Sequence, residues 1–161
     1  MNRQEQTKQL AIGGITAALY VVLTFVSAAM GLASGDIQVR LSEALCILPV
    51  FSFAAVPGLT LGCFLANLLT GCAPLDVVFG TIATLIGAVG TYLMRKKNRA
   101  IAWLPPVISN TLIVPFILAW VYNVEQAIPI MMLTVGAGEL ISCGILGTVL
   151  RKVMEKNNFK L

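Results

Sequence analysis

The chain is a nearly continuous apolar sequence that polar or turn-forming residues interrupt at a few places. Charges, prolines and glycines at these places divide it into segments that approach the roughly 20 residues of a membrane-spanning helix. We predict an all-α integral membrane protein, a single domain over residues 1–161. Six transmembrane helices are predicted, at residues 10–32, 41–56, 59–70, 76–94, 103–122 and 128–150. The second is short for a full crossing, and Val56-Pro57-Gly58 is predicted to form the turn that joins it to the third.

The composition excludes a soluble globular protein. Of the residues, 58% are hydrophobic and 11% are charged, against roughly 45–50% and about 25% in soluble domains. A soluble chain of about this size buries only about 70% of the surface that it exposes when unfolded, so lipid must cover the excess. The predicted spans leave no room for a separate soluble domain, and any ATP hydrolysis must come from a partner.

The basic residues indicate how the helices cross the membrane. Only Arg40 falls on one side of the six-span arrangement. The other ten of the 11 basic residues fall on the opposite side: Arg3, Lys8, Arg95, Lys96, Lys97, Arg99, Arg151, Lys152, Lys156 and Lys160. Because Lys and Arg collect on the cytoplasmic side, both termini and the 95–99 loop are predicted to be cytoplasmic. The net charge of +4 is therefore a topology signal, and no nucleic-acid partner is expected.

The first apolar segment has two interpretations. Its basic start and the small residues Ser27-Ala28-Ala29 are typical of a cleaved signal peptide, but the apolar run is longer than the usual core of about 7–15 residues. A retained helix is therefore favoured. Gly13, Gly14, Ala17 and Ala18 form overlapping small-xxx-small pairs, which let two membrane helices approach closely. These pairs either pack within this protein or dock a helix of a partner.

Several kinds of chemistry are disfavoured because their residues are missing. The sequence contains no histidine, no phosphate-binding loop and no Cys-x-x-Cys pair. Metal-dependent or triad-type hydrolysis and a self-contained ATP-driven pump are therefore not expected, and we predict no metal, cofactor or enzymatic activity in this chain. Cys46, Cys63 and Cys143 fall in apolar spans and are interpreted as small buried hydrophobes.

Glu139 is the polar residue that the membrane should most strongly exclude. It lies near the middle of the sixth predicted span, and a charge there costs on the order of 3 kcal/mol. Gly136, Ser142 and Cys143 share its helical face, and the glycine leaves space beside the carboxylate. Glu139 is therefore a candidate ligand contact, with a hydrogen bond between helices as the alternative.

A second set of polar residues lies at the outer ends of the predicted spans. Asp76 begins a face of the fourth span on which small or polar residues recur about every four positions: Asp76, Gly80, Thr84, Ala88 and Thr91. The helix dipole favours an anion at that end, so Asp76 is either an N-cap or a ligand contact. Asp36, Arg40 and Glu43 lie at the same level. Arg40 and Glu43 either pair with each other or bind a ligand.

Two asparagines lie deeper in the spans. Asn67 either faces a cavity or bonds a neighbouring helix, while Asn110, close to Pro115, is interpreted mainly as architecture. Of the six charged residues outside the cytoplasmic set, five are acids. This separation of the acidic residues from the cytoplasmic basic residues indicates an outward-facing acidic pocket suited to a cationic ligand.

Three segments carry a resemblance to a known family: QVRLSEAL at 38–45, GCFLAN at 62–67 and LDVVFGTIATL at 75–85. They resemble the QueT family, proposed queuosine-precursor uptake proteins that act as substrate-binding S-components of energy-coupling factor (ECF) transporters. The resemblance implies a six-helix bundle in the cell membrane with an outward-facing pocket. It also implies an Ala-xxx-Ala motif that docks a transmembrane T-component, and Gly14 and Ala18 occupy the matching positions.

The resemblance implies a ligand and partners as well. The T-component and two cytosolic ATPases would use ATP to reorient the S-component, and the ligand would be a 7-deazaguanine with a cationic amine. Buried carboxylates suit such a cation, so Glu139 is predicted as the principal anchor. The other predicted contacts are Asp76 or Glu43 as a second carboxylate, Arg40 beside them, Asn67 as a reader of the base edge, and Tyr122 or Trp120 as a stacking surface. The alternatives are an S-component for another vitamin or nucleobase and a small homo-oligomeric channel or structural protein.

Overall fold

Helices make up most of residues 2–32 and 37–157, which the computed structural model describes, and no β-strand occurs in this part of the chain. The α-helices are α1 (Arg3–Ala29), α2 (Ala55–Leu69), α3 (Pro74–Met94), α4 (Leu104–Trp120), α5 (Ile128–Glu139) and α6 (Gly147–Lys156). Leu41–Val50 and Arg99–Ile101 are 3₁₀ helices, and a π-helical segment, Leu140–Leu146, joins α5 to α6. Asp36 and Lys160 lie outside the described residues.

Four helical segments are long and apolar enough to cross a membrane. They are α1, α3, the segment Arg99–Trp120 that contains α4, and the segment Ile128–Lys156 that contains α5 and α6. Many large apolar side chains on these helices point outward; Leu10, for example, is 78% exposed and Leu133 is 74% exposed. Such surfaces need lipid around them. The predicted all-helical, multi-pass membrane protein is confirmed at this level.

The predicted second span is a short central helix in the structure. The 3₁₀ helix Leu41–Val50 has ten residues, which at about 2.0 Å per residue give about 20 Å, less than the roughly 30 Å of a bilayer core. Eight of its residues are buried, so most of its surface contacts protein. This segment carries Glu43 into the core.

The predicted boundary between the second and third spans is wrong. The 3₁₀ helix ends at Val50, and α2 begins at Ala55, so the turn predicted at Val56-Pro57-Gly58 lies inside the first turn of α2. Pro57 fits there because the first backbone N–H groups of a helix have no intrahelical partner. The 15 residues of α2 span about 22 Å, again less than a full bilayer core. Six crossings with both termini in the cytoplasm therefore remain a prediction.

The small residues of α1 form two neighbouring stripes with different surroundings. Gly13 and Ala17 face α2, where a Cβ added to Gly58 would lie 2.6 Å from the Gly13 carbonyl oxygen, and one added to Gly62 would lie 3.0 Å from the Ala17 Cα. A Cβ added to Gly14 meets no atom within 4 Å. The stripe of Gly13 and Ala17 therefore packs against α2. The stripe of Gly14 and Ala18 is exposed on the surface of the bundle.

This difference predicts the stability of two matched variants. In Gly62→Ala the new methyl group would lie 2.7 Å from the Tyr20 Cβ, and overpacking of this kind costs about 1–3 kcal/mol. Gly14→Ala adds a methyl group in open space and gains up to about 1 kcal/mol of helix propensity. Thermal unfolding of both variants in detergent should show a lower midpoint for Gly62→Ala alone. Equal midpoints would contradict the assignment of the two stripes.

Candidate functional site

A small polar cavity of about 40 Å³ lies between the start of the 41–50 helix and helices α2 to α5. Four of the predicted site residues line it together, although they are up to 99 positions apart in the sequence: Arg40, Glu43, Asp76 and Glu139. The rest of its wall is formed by Gln38, Cys63, Gly80, Thr84, Asn110, Val114 and Val135. The acids that the sequence places at different depths therefore share one site.

Glu43 is held by groups inside the protein. Its side chain is 3% exposed. The Tyr20 hydroxyl donates a hydrogen bond to Glu43 Oε1, and the Cys46 thiol donates to Oε2 at 3.1 Å. Among the described residues, no carboxylate lies within 4.0 Å of the Arg40 guanidinium. The alternative in which Arg40 and Glu43 form a close ion pair is therefore not what the structure contains.

Side chains of α1 fix the start of the 41–50 helix. Hydroxyl groups on one face of α1 bond successive residues of that segment, and these bonds stabilise its position against α1. The three contacts are Ser27 Oγ with the Leu41 N–H at 2.8 Å, Thr24 Oγ1 with Ser42 Oγ at 2.9 Å, and Tyr20 with Glu43. The cavity and α1 are thus directly connected through Glu43.

Glu139 is the last residue of α5 and is followed at once by the π-helical segment. Such segments inside α-helices frequently occur at functional sites. The Cys143 thiol donates to Glu139 Oε2 at 3.3 Å. Gly138 allows α5 to approach the chain beside Arg40, because a Cβ at Gly138 would overlap the Gln38 carbonyl oxygen. This close contact brings Glu139 to the cavity wall.

Contacts from the π-helical segment hold it against residues 40–43. Ser142 Oγ accepts from the Arg40 N–H at 3.2 Å, and the Cys143 thiol also lies 3.3 Å from the Glu43 carbonyl oxygen. These bonds join two parts of the chain about a hundred residues apart. Glu43 and Glu139 are therefore positioned by the same junction.

Asp76 lies in the first turn of α3, whose N-cap is Ala73, so the interpretation of Asp76 as an N-cap is wrong. Tyr122 follows α4 and donates from its hydroxyl to Asp76 Oδ2 at 2.8 Å, while accepting from the Ala73 N–H at 3.1 Å. Burial, and to a lesser degree the Asp76 hydrogen bond, raises the pKa of Tyr122 to about 12. The phenol therefore remains a donor to Asp76 at neutral pH.

Three predicted residues lie outside the cavity wall. Tyr122 is 43% exposed and touches the site through Asp76. Asn67 is buried, and its Nδ2 lies 3.6 Å from the Cys63 sulfur. The same Nδ2 lies close to Gly80, because a Cβ added to that glycine would be 3.0 Å away. Since Gly80 lines the cavity, Asn67 lies directly behind the cavity wall. Trp120 is 76% exposed and packs on Phe116. The structure gives Trp120 no contact with the cavity.

Thr84 and Asn110 also line the cavity but were not among the predicted ligand contacts. Thr84 belongs to the face that begins at Asp76, so the four-residue repeat indicated it. Asn110, interpreted mainly as architecture, is 5% exposed and lines the cavity. Its depth within an apolar span was the available signal, since a buried amide needs a partner or a polar space. Gln38 carried no comparable signal.

The charge and size of the cavity define what it can accept. Three carboxylates and one guanidinium line it, which favours a cation that also offers hydrogen-bond donors. A volume of about 40 Å³ holds about one water, whereas pockets for small organic ligands have about 300–1,000 Å³. The cavity is therefore smaller than such a guest needs, and its wall must widen to admit one.

Comparison with known proteins gives the family. Residues 10–156 match the family described as QueT transporter. The chain is also 32% identical over 102 residues to the queuosine precursor transporter QueT of Lactococcus lactis subsp. cremoris (strain MG1363). That alignment covers 63% of this chain and 60% of the length of the relative. No solved structure matches the chain significantly. Because the family match extends over nearly all of the sequence, the chain belongs to the QueT transporter family.

Proposed function

We propose that this chain is the substrate-binding S-component of an ECF importer, and that it captures a queuosine precursor of the 7-deazaguanine class. The family match and the name of the Lactococcus relative support the substrate class. The observation that carries the proposal is the convergence of Glu43, Asp76 and Glu139 from three separate helices on one cavity. A guest with one amine and a donor-rich edge can use all three.

The chemistry of the ligand fits that arrangement. A 7-aminomethyl-7-deazaguanine carries an ammonium group at one end and a guanine-like edge of N–H donors at the other. Carboxylates accept from both, and such charge-assisted bonds are about twice as strong as neutral ones. Glu139 anchors the ammonium group, and Glu43 or Asp76 accepts from the edge. Arg40 lies beside them as the positive group of the wall.

The proposed topology places this cavity on the outer side of the membrane. Helix α3 runs from Pro74 to Met94, with Asp76 of the cavity in its first turn and the basic 95–99 loop just beyond its last. If that loop is cytoplasmic, as the positive-inside rule favours, Asp76 lies near the opposite surface. Six crossings with both termini inside complete this arrangement, and the ligand enters from outside.

The proposed docking surface for the T-component is the free stripe of α1. Gly14 and Ala18 are both exposed, one helical turn apart, and small residues in this spacing let helices approach closely. A groove of about 990 Å³ continues from Gly14, with Phe53, Pro57, Tyr92 and Arg95 among its lining residues. This surface supports docking of a partner helix, and partner ATPases then supply the energy of transport.

A ligand panel on the purified chain tests the substrate assignment. At about 100 times its dissociation constant, a ligand should stabilise the folded protein by about 2.7 kcal/mol, measured as a shift of thermal unfolding. We expect a shift with 7-aminomethyl-7-deazaguanine and a smaller one at equal concentration with 7-deazaguanine, which lacks the amine. A shift with another vitamin and none with deazaguanines would contradict the substrate. Ion flux through liposomes containing the chain alone would favour the channel alternative.

A further inference from the structure

We infer that the interior of the protein holds a site for a soft divalent cation, formed by the thiols of Cys46 and Cys143 with the carboxylates of Glu43 and Glu139. One ligand atom each from Glu43, Cys46 and Cys143 lies within 4.8 Å of the other two. All three residues are buried, at 3%, 0% and 2% exposed. Glu139 lies at the edge of this group of three: its Oε2 is 3.3 Å from the Cys143 sulfur, but it is not among the donors that all lie within 4.8 Å of one another.

The spacing of these donors is close to that of a tetrahedral zinc site. With Zn–S bonds of about 2.3 Å and Zn–O bonds of about 2.0–2.2 Å, neighbouring ligand atoms lie about 3.3–3.8 Å apart. The Cys46 sulfur lies 3.1 Å from Glu43 Oε2, and the Cys143 sulfur lies 3.3 Å from Glu139 Oε2. Each thiol–carboxylate pair is therefore already near the separation of two ligands. Glu43, Cys46 and Cys143 form the preassembled part of the site, and the Glu139 carboxylate has to move toward them to complete a four-donor shell.

The charge balance of the cluster also suits a dication. On binding, both thiols lose their protons and ligate as thiolates, and the two protons pass to water through the adjacent cavity. A dication replaces two protons, so the net charge of the buried cluster does not change. Thiolate donors select Zn²⁺ or Cd²⁺ over Mg²⁺ and Ca²⁺. The Tyr20 hydroxyl remains on Glu43 Oε1 and orients that carboxylate, as outer partners of metal ligands commonly do.

The metal shares two carboxylates with the proposed ligand site. Glu43 and Glu139 line the polar cavity, so a bound cation and the ammonium group of the guest would compete for them. This competition rests on the proposed function, whereas the metal site rests only on the four donors. A protein that binds no deazaguanine can still bind the metal, and the two claims fail separately.

Cadmium binding to the full-length chain in detergent tests the site. A Cys72→Ser background removes the partly exposed thiol. Cd²⁺ should bind with a single ion per chain and produce the ultraviolet charge-transfer absorption of a Cd–thiolate bond. Cys46→Ser or Cys143→Ser should weaken binding about tenfold or more, and Zn²⁺ in excess should compete with Cd²⁺ for the site. The matched control is the Cys72→Ser background itself, which lacks a thiol outside the cluster and should bind Cd²⁺ as the unaltered chain does.

Three results would overturn the site: no thiolate absorption, absorption that persists in both Cys46→Ser and Cys143→Ser, or an equal loss of Cd²⁺ binding on going from the unaltered chain to Cys72→Ser. If the serine variants do not fold, X-ray absorption of the background protein with equimolar Zn²⁺ gives the answer without them. The expected first shell contains two sulfur atoms at about 2.3 Å and oxygen atoms at about 2.0 Å. A shell of oxygen and nitrogen atoms alone would overturn the inference.

Discussion

Glu139→Gln is expected to weaken binding of 7-aminomethyl-7-deazaguanine by about tenfold or more, which corresponds to about 1.4 kcal/mol. Glutamine keeps the size of the side chain but removes the negative charge that the ammonium group needs, and hydrogen bonds to charged groups contribute about 1.5–3 kcal/mol. The dissociation constants of the unaltered chain and the variant can be compared by isothermal titration calorimetry in detergent.

Glu125→Gln is the matched control for this substitution. Glu125 is an exposed acid that follows α4 and does not line the cavity, so its removal should leave the affinity unchanged. Binding of 7-deazaguanine should respond less to Glu139→Gln, because this analogue lacks the amine. Unchanged affinity for the aminomethyl compound in Glu139→Gln would remove Glu139 as the anchor.

The double substitution Gly14→Leu, Ala18→Leu is expected to abolish association with the T-component and leave ligand binding intact. Both residues are exposed on α1, and a Cβ at Gly14 meets nothing within the chain. Leucine at these positions should therefore be tolerated by the isolated protein but should hold a partner helix away. Co-purification with a tagged T-component and its ATPases measures association, and the calorimetric titration measures ligand binding.

Ala28→Leu tests whether a larger side chain elsewhere on α1 also disturbs association. Ala28 is also exposed but lies ten residues from Ala18, about 15 Å along the helix, so it should not disturb docking. Association of the double variant at the level of the unaltered chain would contradict the docking role. Loss of ligand binding together with association would instead indicate that the substitutions disturb the fold.

The long helices were largely predictable because lipid imposes simple constraints on them. An apolar stretch must satisfy its backbone hydrogen bonds internally, which makes it helical, and a cluster of charges ends it. The predicted fourth span, 76–94, corresponds to α3, Pro74–Met94, because Pro74 starts the helix and Arg95 follows it. The predicted convergence of acids also needed little more than the observation that membranes exclude charge unless it faces a cavity or a partner.

Local irregularities of the helices and contacts between distant residues were harder to predict from the sequence. Hydropathy gave no means of distinguishing the short buried 3₁₀ helix 41–50 from a membrane span, because both are apolar. The contacts of Tyr20 with Glu43 and of Cys143 with Glu139 depend on how helices cross and on a π-helical segment, and a single sequence encodes neither in a simple spacing. Cys46 and Cys143 are buried as predicted, but their proximity arises only in the fold.

Uptake of radiolabelled 7-aminomethyl-7-deazaguanine by bacteria that lack their own importer tests the central claim most directly. Cells would express the chain alone, the chain with its T-component and ATPases, or the same set with the phosphate-loop lysine of each ATPase replaced by alanine. We predict uptake above background only with the intact set, and its loss when Glu139→Gln is introduced at low ligand concentration. Uptake by the chain alone, or uptake that survives inactivation of both ATPases, would contradict the account.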